Sequence, residues 1–516
     1  MGVPTGGRPK RKPVFRNVES DDMRGKQKTI QESYPTEATR ESPGSEGAHS
    51  TSPVDNEVGT VYHDLIEKVL DDGNIDEALK RVVSNNGKPG MDGMTVLELK
   101  AILPEIRESM KDSIRTGKYR PKPVRRAEIT KPDGGVRNLG IPTAMDRLVQ
   151  QMIAQVLVPI FDPMFSDSSY GFRPGRSAHD ALLRVKDLYD DGYTVVVSLD
   201  LSKYFDTIPQ DDLMNIIRRT VKDKTLLDLI KRFLKSGVAL PNGLNVTTEE
   251  GTPQGGPLSP ILANIYLDSF DKLMEERNLK SVRYADDINI YVRTPRAAER
   301  VMESCANYLE GKLRLRVNRE KSAIGSPMDL RFLSFKLIRT KDGDIWFAPH
   351  EKAIKRFKDR IREIFRSQRG SSIQRLVDKL KEYEKGWMGY FGTGPERDYK
   401  ALDAWIRRRM RAFMLKQWKT PKNRQKQLNR IGQLHRQGKT WEAVRALSYR
   451  KHVWRAAHQW AADRVLNNNA LREETGMYYL TSSWEKVQSR FPKSPLRNRT
   501  VGSVGGRQST LSEFVG

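Results

Sequence analysis

The chain has 516 residues, and its 91 Lys and Arg against 65 Asp and Glu give a formal net charge of +26. That excess predicts a polyanionic partner, nucleic acid first and an acidic membrane surface second, because Lys and Arg neutralise phosphate groups. No window approaches the roughly 20 apolar residues that span a bilayer, and no signal-peptide core follows the first residue, so we expect a cytoplasmic protein without membrane contact. Cys305 is the single cysteine and the histidines lack zinc-site spacing, so no zinc is expected.

The N-terminal part of the chain divides into two segments. Residues 1–60 carry as many acidic as basic residues and only two aromatics, which predicts a disordered tail and linker. Apolar residues at helical spacing begin near Val61, so residues 61–125 are expected to form a helical extension. The turn-rich stretch NNGKPGMDGMT, residues 85–95, interrupts this extension.

The next segment, residues 126–350, alternates short strands with helices. It opens with a predicted hairpin over 126–141, whose turn is Pro132-Asp133-Gly134-Gly135, and a helix is expected from about 144 to 161. This mixture of strands in hairpins and intervening helices makes α+β the expected fold class, in preference to a doubly wound sheet.

Two apolar runs in this segment end or break at acids. The run TVVVSLDLS, residues 194–202, contains Asp200, and the run at 281–292 is interrupted by Ala285-Asp286-Asp287. A helix with Ser259 as its N-cap is predicted between them. Carboxylates that converge from different strands hold the two divalent ions of polymerases, whereas a bare Asp pair is more often a solvated turn.

The C-terminal part of the chain reads as helical and basic. Residues 401–460 hold sixteen Lys and Arg against two acids, interleaved with tryptophans. We therefore expect residues 351–480 to form a basic helical domain, and residues 481–516 to form a basic, flexible tail.

Six blocks of the sequence together resemble the reverse transcriptases encoded by group II introns, also called maturases, over roughly residues 75–460. In chain order, these blocks are KPDGGVRNLGIPTAMDR (131–147), SSYGFRPGRSAHDAL (168–182), LDLSKYFDTI (199–208), TPQGGPLSPILANIYLD (252–268), YADD (284–287) and VNREKS (317–322). The resemblance implies a right-hand polymerase with fingers and palm over 126–350, and an α-helical thumb/maturase domain over 351–480. Such a protein is an RNA-directed DNA polymerase, a nucleotidyltransferase that uses two Mg²⁺, with Mn²⁺ possible, and dNTP substrates.

The resemblance also implies partners. They are a group II intron or other structured RNA, an RNA template with a DNA or RNA primer, and target DNA, within a bacterial, nucleoid-associated ribonucleoprotein. Splicing and mobility of the intron are the expected roles. Family members often end in an H-N-H endonuclease that contains cysteines, and with one Cys and no suitable His pair we expect that module to be absent.

Residue by residue, the resemblance implies a metal site and a nucleotide pocket. Asp200 and Asp286 match the metal-binding aspartates, the carbonyl of Leu201 is a further ligand, and Asp287 is either the second acid or a residue that orients the turn. Lys321 matches a lysine suspected of protonating the pyrophosphate, with a surface lysine as the alternative. The nucleotide pocket is assigned to Leu201, Lys131, Arg137, Phe205, Gln254 and Gly255, and a solvated hairpin face is the alternative for Lys131 and Arg137.

Phe205 is expected to exclude a 2′-hydroxyl, and packing in the core is its alternative. FLSF, residues 332–335, has Ser where the family usually has Gly, and we expect only a modest change there. RNA or DNA contacts are assigned to Asn85, Gly90, Arg407, Arg408, Arg411, Lys416 and Lys419.

Two other functions stay open. One is a non-catalytic RNA-binding splicing cofactor with a vestigial site, which the intact acids disfavour. The other is a domesticated reverse transcriptase in defence or DNA repair. An RNA-dependent RNA polymerase is disfavoured by Phe205 and by Ala285, where a Gly-Asp-Asp turn would have Gly.

Overall fold

A computed structural model describes seven parts of the chain. They are residues 60–130, 136–240, 245–246, 249–252, 255–340, 343–434 and 441–489. The expected tail at 1–60 lies outside these parts except for its last residue. The described chain forms two compact units. The first contains the described residues up to Ala181 together with Ser198–Ile290 and Arg300–Ala323, and the second contains Leu182–Val197, Tyr291–Glu299 and the described residues from Ile324 onward.

Helices and strands alternate up to residue 350. The helices are α1 (Leu65–Leu70), α2 (Asp72–Asn85), α3 (Val96–Arg115), α4 (Ala144–Phe161), α5 (Ala178–Asp190), α6 (Tyr204–Thr207), α7 (Gln210–Thr220), α8 (Lys224–Leu234), α9 (Ser259–Glu276) and α10 (Pro295–Asn307). The strands are β1 (Val124–Thr130), β2 (Val136–Ile141), β3 (Val195–Asp200), β4 (Val238–Ala239), β5 (Asn245–Val246), β6 (Lys280–Tyr284), β7 (Asp287–Val292), β8 (Ala323–Gly325), β9 (Phe335–Arg339) and β10 (Ile345–Pro349). The expected α+β class is confirmed.

The strands form three sheets. Their orders are β2-β1-β4-β5, β10-β9 and β6-β7-β3-β8. The predicted hairpin is present as antiparallel β1 and β2, in the register Ala127 opposite Leu139. Its turn, residues 131–135, lies outside the described residues. The third sheet carries Asp200 at the end of β3 and Asp287 at the start of β7, so it positions the candidate site.

Helix α9 lies between the two acidic segments in the sequence and is buried along much of its length. Leu262, Tyr266 and Phe270 of the predicted stripe are at most 1% exposed. The helix begins one residue earlier than predicted, because Leu258 is its N-cap and Ser259 its first residue. Pro260 is tolerated as the second residue, since the first N–H groups of a helix have no intrahelical partner.

The described residues after 350 contain helices and no strand. The helices are α11 (Glu351–Ser367), α12 (Ile373–Phe391), α13 (Glu396–Gln417), α14 (Pro421–Leu434), α15 (Trp441–Ser448), α16 (Val453–Ala456), α17 (Trp460–Val465), α18 (Asn468–Thr475) and α19 (Thr481–Gln488). Their shared core includes Phe357, Trp387, Tyr399 and Met410. Among the described residues, no helix is both long and apolar enough to cross a membrane.

The expectation of a flexible tail from residue 481 is wrong for its first turns, which form α19. The buried Asp403 carboxylate accepts hydrogen bonds from the N–H groups of Leu480 (2.8 Å) and Thr481 (3.1 Å) at the start of this helix. Trp484 Nε1 donates to the carbonyl of Gly394 at 2.9 Å. These contacts come from residues far back in the sequence, so the local composition did not indicate them.

The FLSF segment forms a tight two-residue turn. Phe332 and Phe335 exchange both backbone hydrogen bonds, at 3.0 and 2.8 Å. The two residues between them, Leu333 and Ser334, have positive φ angles of 51° and 68°. Such a conformation suits Gly or Asn, so Ser334 occupies a position where the missing Cβ of glycine would relieve strain. The Ser334 hydroxyl accepts only a long bond, 3.3 Å, from Arg356 Nη2.

We expect Ser334→Gly to stabilise the second unit by about 1 kcal/mol, since a left-handed residue with a Cβ costs about that amount. Ser334→Val should instead destabilise it, because a β-branched residue fits a positive φ poorly. Neither variant can accept the hydrogen bond from Arg356, so the loss of that bond does not contribute to their difference. All eight tryptophans lie after residue 345, so urea unfolding followed by tryptophan fluorescence reports on this unit. Equal midpoints for the two variants would contradict the assignment of strain.

Candidate functional site

The acids on β3 and on the β6–β7 turn belong to neighbouring strands, because β7 lies between β6 and β3 in the sheet. Ring contacts place both segments at the same end of the sheet. Phe172 contacts Phe205, which follows β3, at 6.5 Å between ring centroids, and Tyr284, which ends β6, at 6.4 Å. Adjacent strands are only about 4.8 Å apart, so this arrangement suits side chains that share a ligand.

The backbone around Asp200 is fixed by the VNREKS block. The carbonyl of Asp200 accepts the Asn318 N–H at 2.8 Å, and its own N–H donates to Ser322 Oγ at 3.1 Å. Ser202 N–H donates to the carbonyl of Arg316 at 2.7 Å, so Leu201 and Val317 form an antiparallel pair without mutual hydrogen bonds. In such a pair the N–H and C=O of Leu201 point to the other edge of its strand, where β7 lies.

The turn that carries Asp286 and Asp287 is tightly packed. Ala285 has a φ of 57° and is 7% exposed. A Cβ on Gly171 would lie 2.3 Å from the Ala285 nitrogen, so only glycine allows this approach. Asp286 is half-buried and Asp287 is exposed. The geometry therefore fixes the backbone of the turn while leaving its carboxylates at the surface of the sheet.

The donor set suits a hard cation. Within the described residues, no three His, Cys, Asp or Glu side chains converge as a group that could hold a metal. The candidate ligands are instead two carboxylates, Asp200 and Asp286, and the Leu201 carbonyl oxygen. Mg²⁺ prefers oxygen ligands and usually takes only one or two carboxylates, with waters and substrate phosphates completing its shell. The residues present fit that pattern.

The expected gate residue lies in an aromatic cluster. Phe205 is half-buried, and its ring also packs against Tyr204 at 5.4 Å. The Phe205 carbonyl accepts the Thr252 N–H at 2.6 Å, which ties this residue to the segment that leads into the glycine loop. Burial raises the pKa of the Tyr204 phenol well above its usual value, and the phenol donates to the Ala263 carbonyl at 2.6 Å.

The glycine pair of the predicted nucleotide loop has a packing role. Gly255 has a φ of 107°, and a Cβ there would lie 2.5 Å from the Gly140 carbonyl oxygen on β2. A Cβ on Gly256 would lie 2.1 Å from Gln150 Oε1 on α4. The loop is therefore seated against β2 and α4. Gln254, Lys131 and the side chain of Arg137 lie outside the part of the chain that the structure describes. Lys321 is exposed in the turn after Asn318.

The N-terminal turn region gives one correction. Asn85 is exposed at the end of α2, as a contact residue should be, but Gly90 is buried. A Cβ on Gly90 would lie 2.6 Å from the Thr143 Cα, so this glycine serves close packing rather than RNA contact. The loop is also held by Arg147, whose Nη2 donates to the Lys88 carbonyl at 2.9 Å.

The basic residues on and just after α13 fall into different environments. Lys416 and Lys419 are exposed, while Arg407 and Arg408 are half-buried. The Arg407 guanidinium lies 5.6 Å from the centroid of the Tyr479 ring. Arg411 corrects the prediction: it is 4% exposed, forms an ion pair with Asp463, and donates to the Leu466 carbonyl at 2.8 Å. Its guanidinium holds α17 against α13 and does not face solvent.

Sequence reasoning missed Arg283, a fully buried arginine three residues before Asp286. Its pairing with Asp271 of α9 and its contact with the Ala285 carbonyl are visible only in the fold. The one sequence signal was its type, because an arginine within a short apolar strand requires a buried partner.

Comparisons with known proteins agree with this picture. The family model "Reverse transcriptase (RNA-dependent DNA polymerase)" matches residues 129–337, and "Group II intron, maturase-specific domain" matches residues 354–432. "Protein YkfC" of Escherichia coli (strain K12) is 36% identical over 306 residues, which cover 51% of this chain and 80% of that protein. "Group II intron-encoded protein LtrA" of Lactococcus lactis subsp. cremoris is 41% identical over 190 residues, which cover 37% of this chain and 30% of that protein.

The fold and these matches define a protein with a reverse transcriptase domain followed by a maturase-specific domain. The chain belongs to the family of group II intron-encoded reverse transcriptases and maturases. It spans less than a third of the LtrA protein, but most of the Escherichia coli relative.

We expect Arg411→Gln to lower the free energy of unfolding of the second unit by about 1–3 kcal/mol, because it leaves the buried Leu466 carbonyl without its donor. Lys416→Gln on the same helix is the control, since exposed substitutions usually change stability by less than about 0.5 kcal/mol. Urea unfolding followed by tryptophan fluorescence measures both. If Arg411→Gln kept full stability and lost RNA affinity, the prediction that Arg411 contacts RNA would be correct after all.

Proposed function

We propose that the chain is an RNA-directed DNA polymerase that copies structured RNA into DNA by two-metal-ion nucleotidyl transfer. The observation that carries the proposal is the placement of Asp200 and the Asp286 turn on neighbouring strands, at the same end of the sheet. The Leu201 carbonyl points toward β7, the strand that follows the Asp286 turn. Family membership supports the reaction class.

In this proposal Asp200, Asp286 and the Leu201 carbonyl would hold two Mg²⁺, with Mn²⁺ as a substitute and Asp287 as the second acid of the pair. Bound ions of this kind activate an attacking hydroxyl and stabilise the leaving oxygen. Phe205 would limit the space beside the nucleotide sugar. Lys131, Arg137 and the Gln254-Gly255 loop would hold the dNTP, and Lys321 would donate a proton to the pyrophosphate.

We further propose that the second unit binds group II intron RNA and assists its splicing and mobility. The maturase match supports this role. Exposed aromatic residues on the described surface alternate with basic residues, a combination that binds nucleic acid by stacking and by phosphate contact. These aromatics are Trp441, Tyr449, Trp454 and Trp460, which are 45–62% exposed. Tyr449 lines a cleft of about 690 Å³ together with Arg445 and Arg450.

The template, a DNA or RNA primer and the target DNA would complete a bacterial cytoplasmic ribonucleoprotein associated with the nucleoid. A domesticated role in defence or repair would use the same chemistry with another RNA.

Asp286→Asn tests the metal site. It keeps the shape of the side chain but removes the charge that attracts divalent ions, so DNA synthesis on an RNA template should fall by orders of magnitude while RNA binding survives. Primer extension and filter binding measure the two properties. Asp211→Asn removes the same charge from an exposed position on α7 and should change neither.

RNA binding should follow the exposed cations instead. A Lys416→Gln/Lys419→Gln double variant should bind RNA more weakly. The slope of its log binding constant against log salt concentration should become shallower by about 0.7–0.9 for each phosphate that it no longer neutralises. Loss of synthesis and RNA binding together in folded Asp286→Asn would contradict this division. Full synthesis in that variant would remove Asp286 from the site and leave a non-catalytic splicing cofactor as the better interpretation.

Phe205→Val should raise ribonucleotide incorporation, because a smaller side chain leaves room for the 2′-hydroxyl. Phe205→Tyr keeps the ring and should retain discrimination. Primer extension with each nucleotide type provides the ratio. Unchanged discrimination in the Val variant, accompanied by lower stability, would mean that the ring serves the cluster with Phe172 and Tyr204.

A further inference from the structure

Arg283 is a buried side chain that forms several hydrogen bonds beside the candidate site. It lies on β6, is 1% exposed, and forms an ion pair with Asp271, which is equally buried. Its Nε donates to both oxygens of Asp271 at 2.8 and 2.9 Å. Its Nη2 donates to Ser169 Oγ at 2.7 Å. A charge so deeply buried needs all of these partners, because an unpaired one would be costly.

The remaining nitrogen of Arg283 reaches the turn itself. Nη1 donates to the carbonyl of Ala285 at 3.0 Å and to Asn264 Oδ1 at 3.0 Å. Asn264 in turn donates from Nδ2 to the Gly171 carbonyl at 2.8 Å, and Gly171 packs directly against the Ala285 nitrogen. The peptide that joins Ala285 to Asp286 is thereby held by the guanidinium, and the preceding peptide, between Tyr284 and Ala285, packs against the Gly171 backbone.

We propose that Arg283 is a positioning residue for the metal-binding acids: through the Ala285 carbonyl it fixes the peptide that orients Asp286. The inference rests on the proposed polymerase function. Only a planar fork can serve Asp271, Ser169 and the Ala285 carbonyl in three directions at once, whereas an ammonium group is a point donor on a flexible stem. The charge of Arg283 is neutralised by Asp271, so the turn gains a rigid support without a cation that competes for Asp286.

Arg283→Lys tests this role, because it keeps the charge for Asp271 and loses the fork. We expect the affinity for Mn²⁺ to fall on the order of 10-fold, as for other residues that orient metal ligands. Electron paramagnetic resonance of free Mn²⁺, added to the protein without nucleic acid, measures it directly. The Mn²⁺ binding that the wild-type protein shows and Asp286→Asn lacks is assigned to the candidate metal site, and the affinity of that site is the one compared. In primer extension, kcat should fall while KM for the template–primer stays at the wild-type value.

Arg147→Lys is the matched control. Arg147 is also buried, at 9% exposure, and also holds a loop through a backbone carbonyl, that of Lys88. Its replacement should lower thermal stability without changing Mn²⁺ affinity. A purely structural role for Arg283 predicts the same result for Arg283→Lys, namely lower stability and wild-type Mn²⁺ affinity, and that outcome would overturn the inference.

Asn264→Ala keeps the test decisive if Arg283→Lys does not fold. It preserves the ion pair between Arg283 and Asp271. It removes the hydrogen bond that Asn264 accepts from Arg283 Nη1 and the one that Asn264 donates to the Gly171 carbonyl. Mn²⁺ affinity should drop about fivefold, the effect of roughly one hydrogen bond. Wild-type affinity in a folded Asn264→Ala protein would overturn the inference. Absence of synthesis and of Mn²⁺ binding at Asp286 in the wild-type protein would instead overturn the proposed function.

Discussion

Carboxylates that are to share divalent cations repel one another, so the backbone around them has to fix their positions before any cation binds. The central sheet meets this constraint by placing its two acidic segments on neighbouring strands. Apolar residues at the end of β3 anchor one segment: Leu199 and Leu201, on either side of Asp200, are buried on one face, so Asp200 lies on the other. On the other segment, Ile288 and Ile290 of β7 are buried directly after Asp287. The acids are thus supported by burial of their neighbours.

Backbone contacts refine this placement, and several of them require glycine. Gly171 allows the SSYGF segment to touch the turn, and Gly255 allows the loop before α9 to touch β2. Gly251 allows its own segment to touch α6, since a Cβ there would lie 2.7 Å from the backbone of Asp206. Each contact joins a segment near the acids to another part of the first unit. The site therefore depends on main-chain proximity as much as on the acidic side chains.

The sequence predicts the parts of this arrangement that are local. The hairpin of β1 and β2, the strands that carry the acids and helix α4 all follow from apolar periodicity and turn residues. The environments of Gly90 and Arg411 do not. Periodicity on α13 predicts burial of Ile406, Met410 and Met414, but Arg411 is buried because α17, some fifty residues later, covers it. Such contacts between distant segments have no signature within one helix.

The number of Lys and Arg in the sequence does not predict the number of phosphate contacts either, because contacts between distant segments bury some of these residues. Among the described residues five arginines are buried, and each donates to at least one backbone carbonyl. They are Arg147, Arg173, Arg283, Arg411 and Arg424. Such an arginine supplies several donors to carbonyl oxygens that would otherwise be buried unpaired. These charges stabilise the fold and release no counterions when nucleic acid binds. The net charge of +26 therefore overstates the number of phosphate contacts, which depends on exposed residues such as Lys416 and Lys419.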